Sequence, residues 1–582
     1  MVVAGRILKA LLVSLLLGLS AYAVAKINLF GLESASDDLG DAVYQRITAA
    51  DYGADRKGQR QVSVVYLDES SMQAMKGFGW NHFPPTYDQQ WQMFDDVMSV
   101  GGAPPAAVYA DYVYTGQGEQ NEGWPAFLAG VAKATNADAW KDLPGCQADP
   151  LTKIACIEAA GGTPLIFAKP SPGELDIFTD VQRQLDQVAV LAPALVGVRA
   201  YPMITTYPFD AATARARGVH GFDISPAMGL YTAWCLRRPD ACGVVEFKVL
   251  KTRAEAAMAR SPLTPMDATG TFNAPLDVVW GSRPDPDYLA MTKAVTGQPA
   301  PCRGAGSGWI ERLGEQMAGL RGPGAGARQE CPYALTLGYD RIVAGLGLQQ
   351  SDLQRLLAGK LVLMGGQFRA SNDWVDTPVQ GEAPGVHLHA MAIDNLMEDG
   401  PNYRRSGAQV FDSDLLKSLI IAALAFCGVM GVMARNSLLD HAKETRAEAK
   451  LRARVYAPLY LGIFISSIGV VVLSTWMGVA VAHRAPINWI GISFVVLGFL
   501  FYATRETLPA DVLGSIEHLR WVRRTMAALR LFRQHMKFEE DRLVTRRASR
   551  PASPAEGAEP AQSAPPTARN ESPKEAPAHV QS

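Results

Sequence analysis

The chain has 582 residues, a formal net charge of −2 and 48% hydrophobic residues. So apolar a chain is not a disordered one, it is too long for one ordinary domain, and a net charge this close to zero gives no general basic surface for nucleic acid. The mean hydropathy of +0.01 averages two unlike parts, a long stretch of soluble composition and four intensely apolar runs.

The first run, 7–25, is long enough for a bilayer, which takes roughly 20 apolar residues. Ala21-Tyr22-Ala23 and Ala23-Val24-Ala25 also read as signal-peptide cleavage sites. The length of the run favours an uncleaved anchor over 1–28, and either outcome exports the large domain C-terminal to it. A helical lead-in comes next, with Leu39, Val43 and Ile47 at helical spacing. The β-branched run 60–67 predicts a strand, and Asp68-Glu69-Ser70-Ser71 is suited to cap a helix from Met72. In the aromatic and proline-rich loop 78–87, Trp80, His82 and Phe83 read either as pocket lining or as a packed loop. A helix over 88–100 puts Trp91, Phe94 and Met98 on one face, and a buried strand over 106–110 ends at Asp111. Strand, helix and strand make a βαβ unit, so Asp68 and Asp111 are expected at the ends of neighbouring parallel strands.

The Gly-, Ala- and Pro-rich stretches 115–162 and 296–332 read as insertions. Between and after them the pattern predicts strands over 164–169 and 276–280 and helices over 226–237 and 353–357. A strand over 361–364 is then stopped by Gly365-Gly366. A polar loop with Asn372, Asp373 and Asp376 comes after it, and an apolar-periodic run opens with His387 and His389. Alternating strands and helices with buried strands predict an α/β domain, mostly parallel, over 29–412.

Three further apolar runs, 415–434, 457–482 and 487–503, add three candidate spans within 413–504, giving a four-helix transmembrane part with the first. Lys and Arg crowd the loop 435–454 and the tail after Tyr502, which places both, and the N-terminus, in the cytoplasm and the large domain outside. Residues 505–548 read as a basic amphipathic helix, and the Pro, Ala, Glu and Ser of 549–582 as a disordered tail. Of the seven cysteines, six fall in the exported part as close pairs: Cys146 and Cys156, Cys235 and Cys242, Cys302 and Cys331. Six cysteines there fit disulfides, with neighbour pairing one of several connectivities. Their spacing does not suggest zinc.

The strand with Asp68-Glu69-Ser70, then Phe83-Pro84-Pro85, Asp111, Leu361-Val362-Leu363-Met364-Gly365, Asp373, Thr377-Pro378 and Pro384-Gly385-Val386-His387-Leu388-His389-Ala390 resemble the CHASE2 domain. His387 departs from the acidic residue expected there. The resemblance implies an extracytoplasmic sensory module of a bacterial inner-membrane protein, with the domain in the periplasm, usually followed by three transmembrane helices. Family members commonly carry a kinase or cyclase after those helices. The tail here is too short for one, so the output is expected from a separate cytoplasmic or membrane partner.

Ligands in open α/β sheets bind outside the carboxyl ends of the strands. Asp68, Glu69, Asp111, Gly365, Asp373, Asp376 and His389 are therefore the candidate ligand-binding residues, for a periplasmic small molecule or a cation. The alternative for the aspartates is helix capping and loop hydrogen bonding, and for the histidines core packing. No nucleophile motif is present, so neither a catalytic residue, a resident metal nor a cofactor is expected. The reading is a membrane-bound sensor, with a homodimer as a candidate assembly. The alternative is a structural or assembly component of a bacterial envelope complex.

Overall fold

The computed structural model describes residues 58–80, 83–99, 102–114, 123–170, 180–194, 200–206, 222–242, 245–261, 263, 272–296, 331–343, 348–368 and 373–406, with scattered positions over 11–52 and at 422 and 426. The chain divides into a unit Met1–Tyr502 and a unit Ala503–Ser582. The second unit lies outside the described residues, as do nearly all of the four candidate spans and His82, Asn372 and Cys302. Among the described residues no helix is long and apolar enough to cross a membrane.

Six strands form one sheet: β1 (Val62–Asp68), β2 (Ala107–Ala110), β3 (Leu165–Lys169), β4 (Val190–Pro193), β7 (Leu335–Gly338) and β8 (Leu361–Gln367). Their order is β4-β3-β2-β8-β1-β7 and every pairing is parallel. Two antiparallel pairs stand outside it, β5 (Ile204–Thr206) with β6 (Phe222–Ile224) and β9 (Trp374–Thr377) with β10 (Gly381–Pro384). β1 leads into α1 (Glu69–Met75) and α2 (Tyr87–Ser99), and β2 into α3 (Trp124–Ala134) and α4 (Pro150–Ala159). The β5–β6 pair leads into α5 (Pro226–Arg237), β7 into α6 (Gln350–Leu357), and β8, through β9–β10, into α7 (Gly385–Asp399).

The strands are apolar without alternation because both faces of the sheet are covered. Phe94 of α2 and Phe127 of α3 pack against Phe167 on one face, with ring centroids 5.5 and 5.9 Å apart. The next residue, Ile166, points to the other face, where Gly229 admits it: a methyl group at 229 would lie 2.7 Å from Ile166 Cδ1. On that second face α5 packs against α7, which also lies against β1 and β8. A parallel sheet puts all six carboxyl ends on one edge.

Several expectations are corrected. β1 and β2 are not neighbours, because β8 inserts between them and pairs with both. Gly365 and Gly366 do not stop their strand; β8 runs through them to Gln367, and the expected polar loop contains the β9–β10 hairpin. Leu276 makes only isolated bridges, to Tyr201 and Arg405, so 276–280 is no strand. Within the stretch 115–162, Phe127, Val131, Trp140 and Ile154 belong to the core. Cys146–Cys156 and Cys235–Cys242 are disulfide-bonded as sequence neighbours, and Cys331 is bonded to a cysteine outside the described residues.

A buried ion cluster closes the domain where its two ends meet. Arg404, five residues beyond α7, donates through Nε to Asp277 Oδ2 at 2.5 Å and through Nη2 to Asp41 Oδ1 at 2.8 Å. The side chains of Arg404, Asp41 and Asp277 are 6%, 13% and 4% exposed, so the guanidinium has little water to fall back on. The main chain repeats the link, since Asp277 N donates to Arg404 O at 2.8 Å. Removing one member of such a cluster strands the other charges. Arg404→Met is therefore expected to cost about 3–5 kcal/mol. Urea unfolding followed by tryptophan fluorescence measures this, and a loss below ~1 kcal/mol would show that the cluster is not a structural tie.

Candidate functional site

The carboxyl edge of the sheet carries two aspartates from distant parts of the chain, Asp111 with its side chain 8% exposed and Asp373 half-buried. Asp111 directly follows β2, and its N–H extends the ladder by donating to Met364 O of β8 at 2.7 Å. Asp373 stands just before β9, and its main-chain oxygen accepts from Gly385 N at 3.0 Å. Glycine is required at 385: a methyl group there would lie 2.3 Å from Asp373 Oδ1. Asp373 thus sits against the first turn of α7.

Burial raises the Asp373 carboxyl to about 6. Burial and then the Asp373 charge raise Asp111 to about 7, against the Tyr109 hydroxyl, which donates to Asp111 Oδ1 at 2.8 Å. The Tyr112 hydroxyl, buried and influenced by both carboxylates, has no hydrogen-bond partner among the described residues.

His389, on the first turns of α7, connects this edge to α5. Tyr201 Oη accepts from Ala227 N at 3.1 Å and from the Ser225 hydroxyl, both at the N-terminus of α5. Its own proton is left for His389 Nδ1, 2.8 Å away. The remaining imidazole proton is then on Nε2, which faces Asp111 Oδ2 at 4.0 Å. Burial lowers His389 to about 3 and His387 to about 4, so both are neutral at physiological pH.

Asp111, Asp373 and His389 therefore converge as the sequence suggests, and the other candidates part company. Asp68 caps α1, accepting from Ser71 N at 2.7 Å and from the Ser70 hydroxyl at 2.9 Å. Gly365 serves packing, since a methyl group there would lie 3.1 Å from Val386 Cβ of α7. Asp376 is exposed on β9, opposite Glu382. Glu69 lies on the rim of a groove of about 300 Å³, shared with Met72, Gln73, Lys76, Trp80, Phe83 and Phe368. This groove lies at the carboxyl ends of β1 and β8. Trp374, whose Nε1 donates to Phe368 O at 3.1 Å, is the residue after Asp373 and joins it to the carboxylate side.

Sequence reasoning missed Tyr109, Tyr112, Tyr201 and the ion pair of Lys169 Nζ with Asp223 Oδ2, 2.6 Å apart with side chains 3% and 1% exposed. The lysine carried a signal, a charge at the end of an otherwise apolar strand. The tyrosines carried none, because their hydroxyls acquire roles only when α5 and α7 meet. Among the described residues, no three His, Cys, Asp or Glu side chains are placed to hold a metal ion.

A family model, the CHASE2 domain, matches residues 11–430, more than half of the chain. The chain belongs to the CHASE2 family. CHASE2 is a family of extracellular sensory domains. Comparison with curated proteins and with solved structures returns no match. The CHASE2 match takes in the whole sheet, both aspartates and α7.

The buried groups of this CHASE2 domain fix how its stability depends on pH. The raised carboxyls hold protons in the folded state that the unfolded chain releases above about 4, so each lowers stability as pH rises towards its folded value. The depressed histidines stay neutral while the unfolded chain takes up protons below about 6.5, so each lowers stability as pH falls. Each contributes about 1.4 kcal/mol per pH unit to the slope between about pH 4 and 6, and Asp96, Glu158 and Asp285, also raised by burial, add to the falling side. Asp111→Asn should remove one falling limb, so that the variant gains stability relative to the wild type as pH rises through that window. Thermal unfolding of both proteins at pH 4.5 and 6 tests this; equal pH dependence would place the Asp111 carboxyl in an ordinary solvated setting.

Proposed function

We propose that this chain is a membrane-bound receptor whose extracytoplasmic domain binds a ligand at the carboxyl edge of its sheet and signals through a separate partner. The observation that carries this reading is the Asp111–Asp373 pair, whose proton affinities burial raises and which lies beside His389 at the start of α7. Burying a charge is expensive, and a ligand or proton that neutralises it gains that difference as binding energy. The pair touches the start of α7, and Arg404, shortly beyond its end, clasps Asp41 of the lead-in. A shift of α7 therefore bears on both ends of the domain, the two that precede and follow candidate spans.

The membrane part rests on the four apolar runs and the charge bias of their flanks. Leu11, Leu12, Leu15 and Leu19 lie in helical conformation with half or more of their surface exposed, as suits a lipid-facing stripe. In this reading the domain faces the periplasm of a bacterium, both termini lie in the cytoplasm, and 505–548 is the surface offered to a cytoplasmic or membrane partner, with a homodimer as the unit that docks. In this reading the protein is a receptor and not an enzyme, since the sequence holds no nucleophile motif.

The full chain in detergent micelles should show ligand-induced thermal stabilisation with periplasmic small molecules or simple cations, and the Asp111→Asn protein should lose it. A ligand at 100 times its Kd would stabilise by about 2.7 kcal/mol. If extracts and defined cations leave both proteins unshifted, and Asp111→Asn and Asp373→Asn leave signalling in cells unchanged, the receptor reading fails.

A further inference from the structure

The β9–β10 hairpin pairs with itself and with no strand of the main sheet. A two-stranded hairpin is at best marginally stable alone, so its position is set by what holds its two ends. The base closes at the carboxylate site. There Pro384 pairs with Trp374, Gly385 N donates to Asp373 O at 3.0 Å, and the Asp373 side chain lies against Gly385 at the start of α7. The tip, 377–381, turns where Gln380 N donates to Thr377 Oγ1 at 2.9 Å. It is tied at two points: Arg46 Nε donates to Pro378 O, and Gln380 Nε2 donates to Cys331 O at 3.2 Å. Four residues per strand at about 3.4 Å each put base and tip ~14 Å apart. Between them Asp376 and Glu382 are exposed, while Val375 and Val379 lie half-buried against the core. Arg46 belongs to the lead-in that follows the first candidate span. Its neighbour Gln45 accepts from Trp280 N at 3.3 Å and donates to Asp41 Oδ2 at 2.8 Å, and Asp41 is the carboxylate that takes Arg404. The hairpin thus runs from Asp373 to the stretch that the ion cluster holds, by a route separate from α7.

We propose that the β9–β10 hairpin is a transmission arm, which converts a change at Asp373 into a displacement of Pro378 against Arg46 and so of the lead-in. It rests on the receptor reading for what changes at Asp373, and adds an output on the N-terminal side of the domain. The attachments dictate the motion. Asp373 Oδ1 would lie 2.3 Å from a methyl group at 385, so a carboxylate that shifts to meet a ligand takes the base of the hairpin with it. Four paired positions, from Trp374–Pro384 to Thr377–Gly381, hold the two strands as one body, so a tilt at the base appears at the tip. Cys331, buried and disulfide-bonded, is the fixed point about which the tip turns. The planar Arg46 guanidinium reads the position of one carbonyl, and the arm has two states, with Arg46 on Pro378 O or released from it.

Hydrogen–deuterium exchange on the full chain in detergent micelles tests this, with a substitution at the base as the input. Asp373→Asn should change exchange over 374–384 and, by about threefold, over 41–49. With Arg46→Met as the background, the change over 374–384 should remain and the change over 41–49 should vanish, each measured against Arg46→Met alone. Asp111→Asn alters the charge beside Asp373 without touching the hairpin, should give the same pattern, and serves if Asp373→Asn does not fold. The input is a substitution, so a ligand screen without a hit counts against the receptor reading and leaves this result standing. A response over 41–49 that survives Arg46→Met overturns the arm. A response confined to 374–384, or inputs that move neither segment, overturns it equally.

Discussion

Burial of α7 is the constraint on which the rest of the domain depends. Every residue from Gly385 to Met397 is buried, so the helix cannot set aside a polar face for water. Its polar side chains must then find partners inside the protein, and those partners come from all parts of the chain. His389 meets Tyr201. Asp394 accepts from the hydroxyls of Tyr52 and Tyr333, at 2.5 and 3.1 Å. Asn395 spans the main chain of Val279, accepting from its N–H at 2.7 Å and donating to its carbonyl at 3.0 Å. Gly365 and Gly385 are small so that β8 and Asp373 can approach this helix closely.

The same constraint leaves charge in unusual places. The domain neutralises Arg404 with two carboxylates and Lys169 with one, while burial raises the proton affinity of both Asp111 and Asp373 and the Asp373 charge raises that of Asp111 further. Buried ion pairs give specificity of arrangement more than net stability. The Arg404 cluster fixes where the chain enters and leaves the domain, and the carboxylate pair is the place where we propose that a ligand binds. Both are reached through one helix.

Much of this was legible in the sequence because it rests on local pattern. The apolar runs that became β1, β2, β3 and β8 are short, carry a charge only at the ends of β1 and β3, and are bounded by turn residues. The helix over Pro226–Arg237 begins at a serine that caps it, accepting from Met228 N. Asp111 and His389 were legible as candidates because each sits at the end or start of such an element. The strand order was not legible, since nothing local says that β8, late in the chain, inserts between β1 and β2. The glycines of β8 misled for a related reason. They read as a stop, whereas Gly365 admits Val386, a contact set by a helix twenty residues further on. The choice between capping and binding for Asp68 and Asp111 also needed the fold: the two look alike in sequence, and only burial separates the solvated cap from the strained carboxylate.

The central claim is that charge at the sheet edge is felt, through α7, where the chain leaves the domain. Hydrogen–deuterium exchange on the full chain, comparing wild type with Asp111→Asn at pH 7.5, tests it most directly. Neutralising Asp111 should slow exchange along Gly385–Asp399 and at 403–406, with no comparable change at β4, on the far edge of the sheet. A change confined to the neighbours of Asp111, with 403–406 exchanging as in the wild type, would contradict the account.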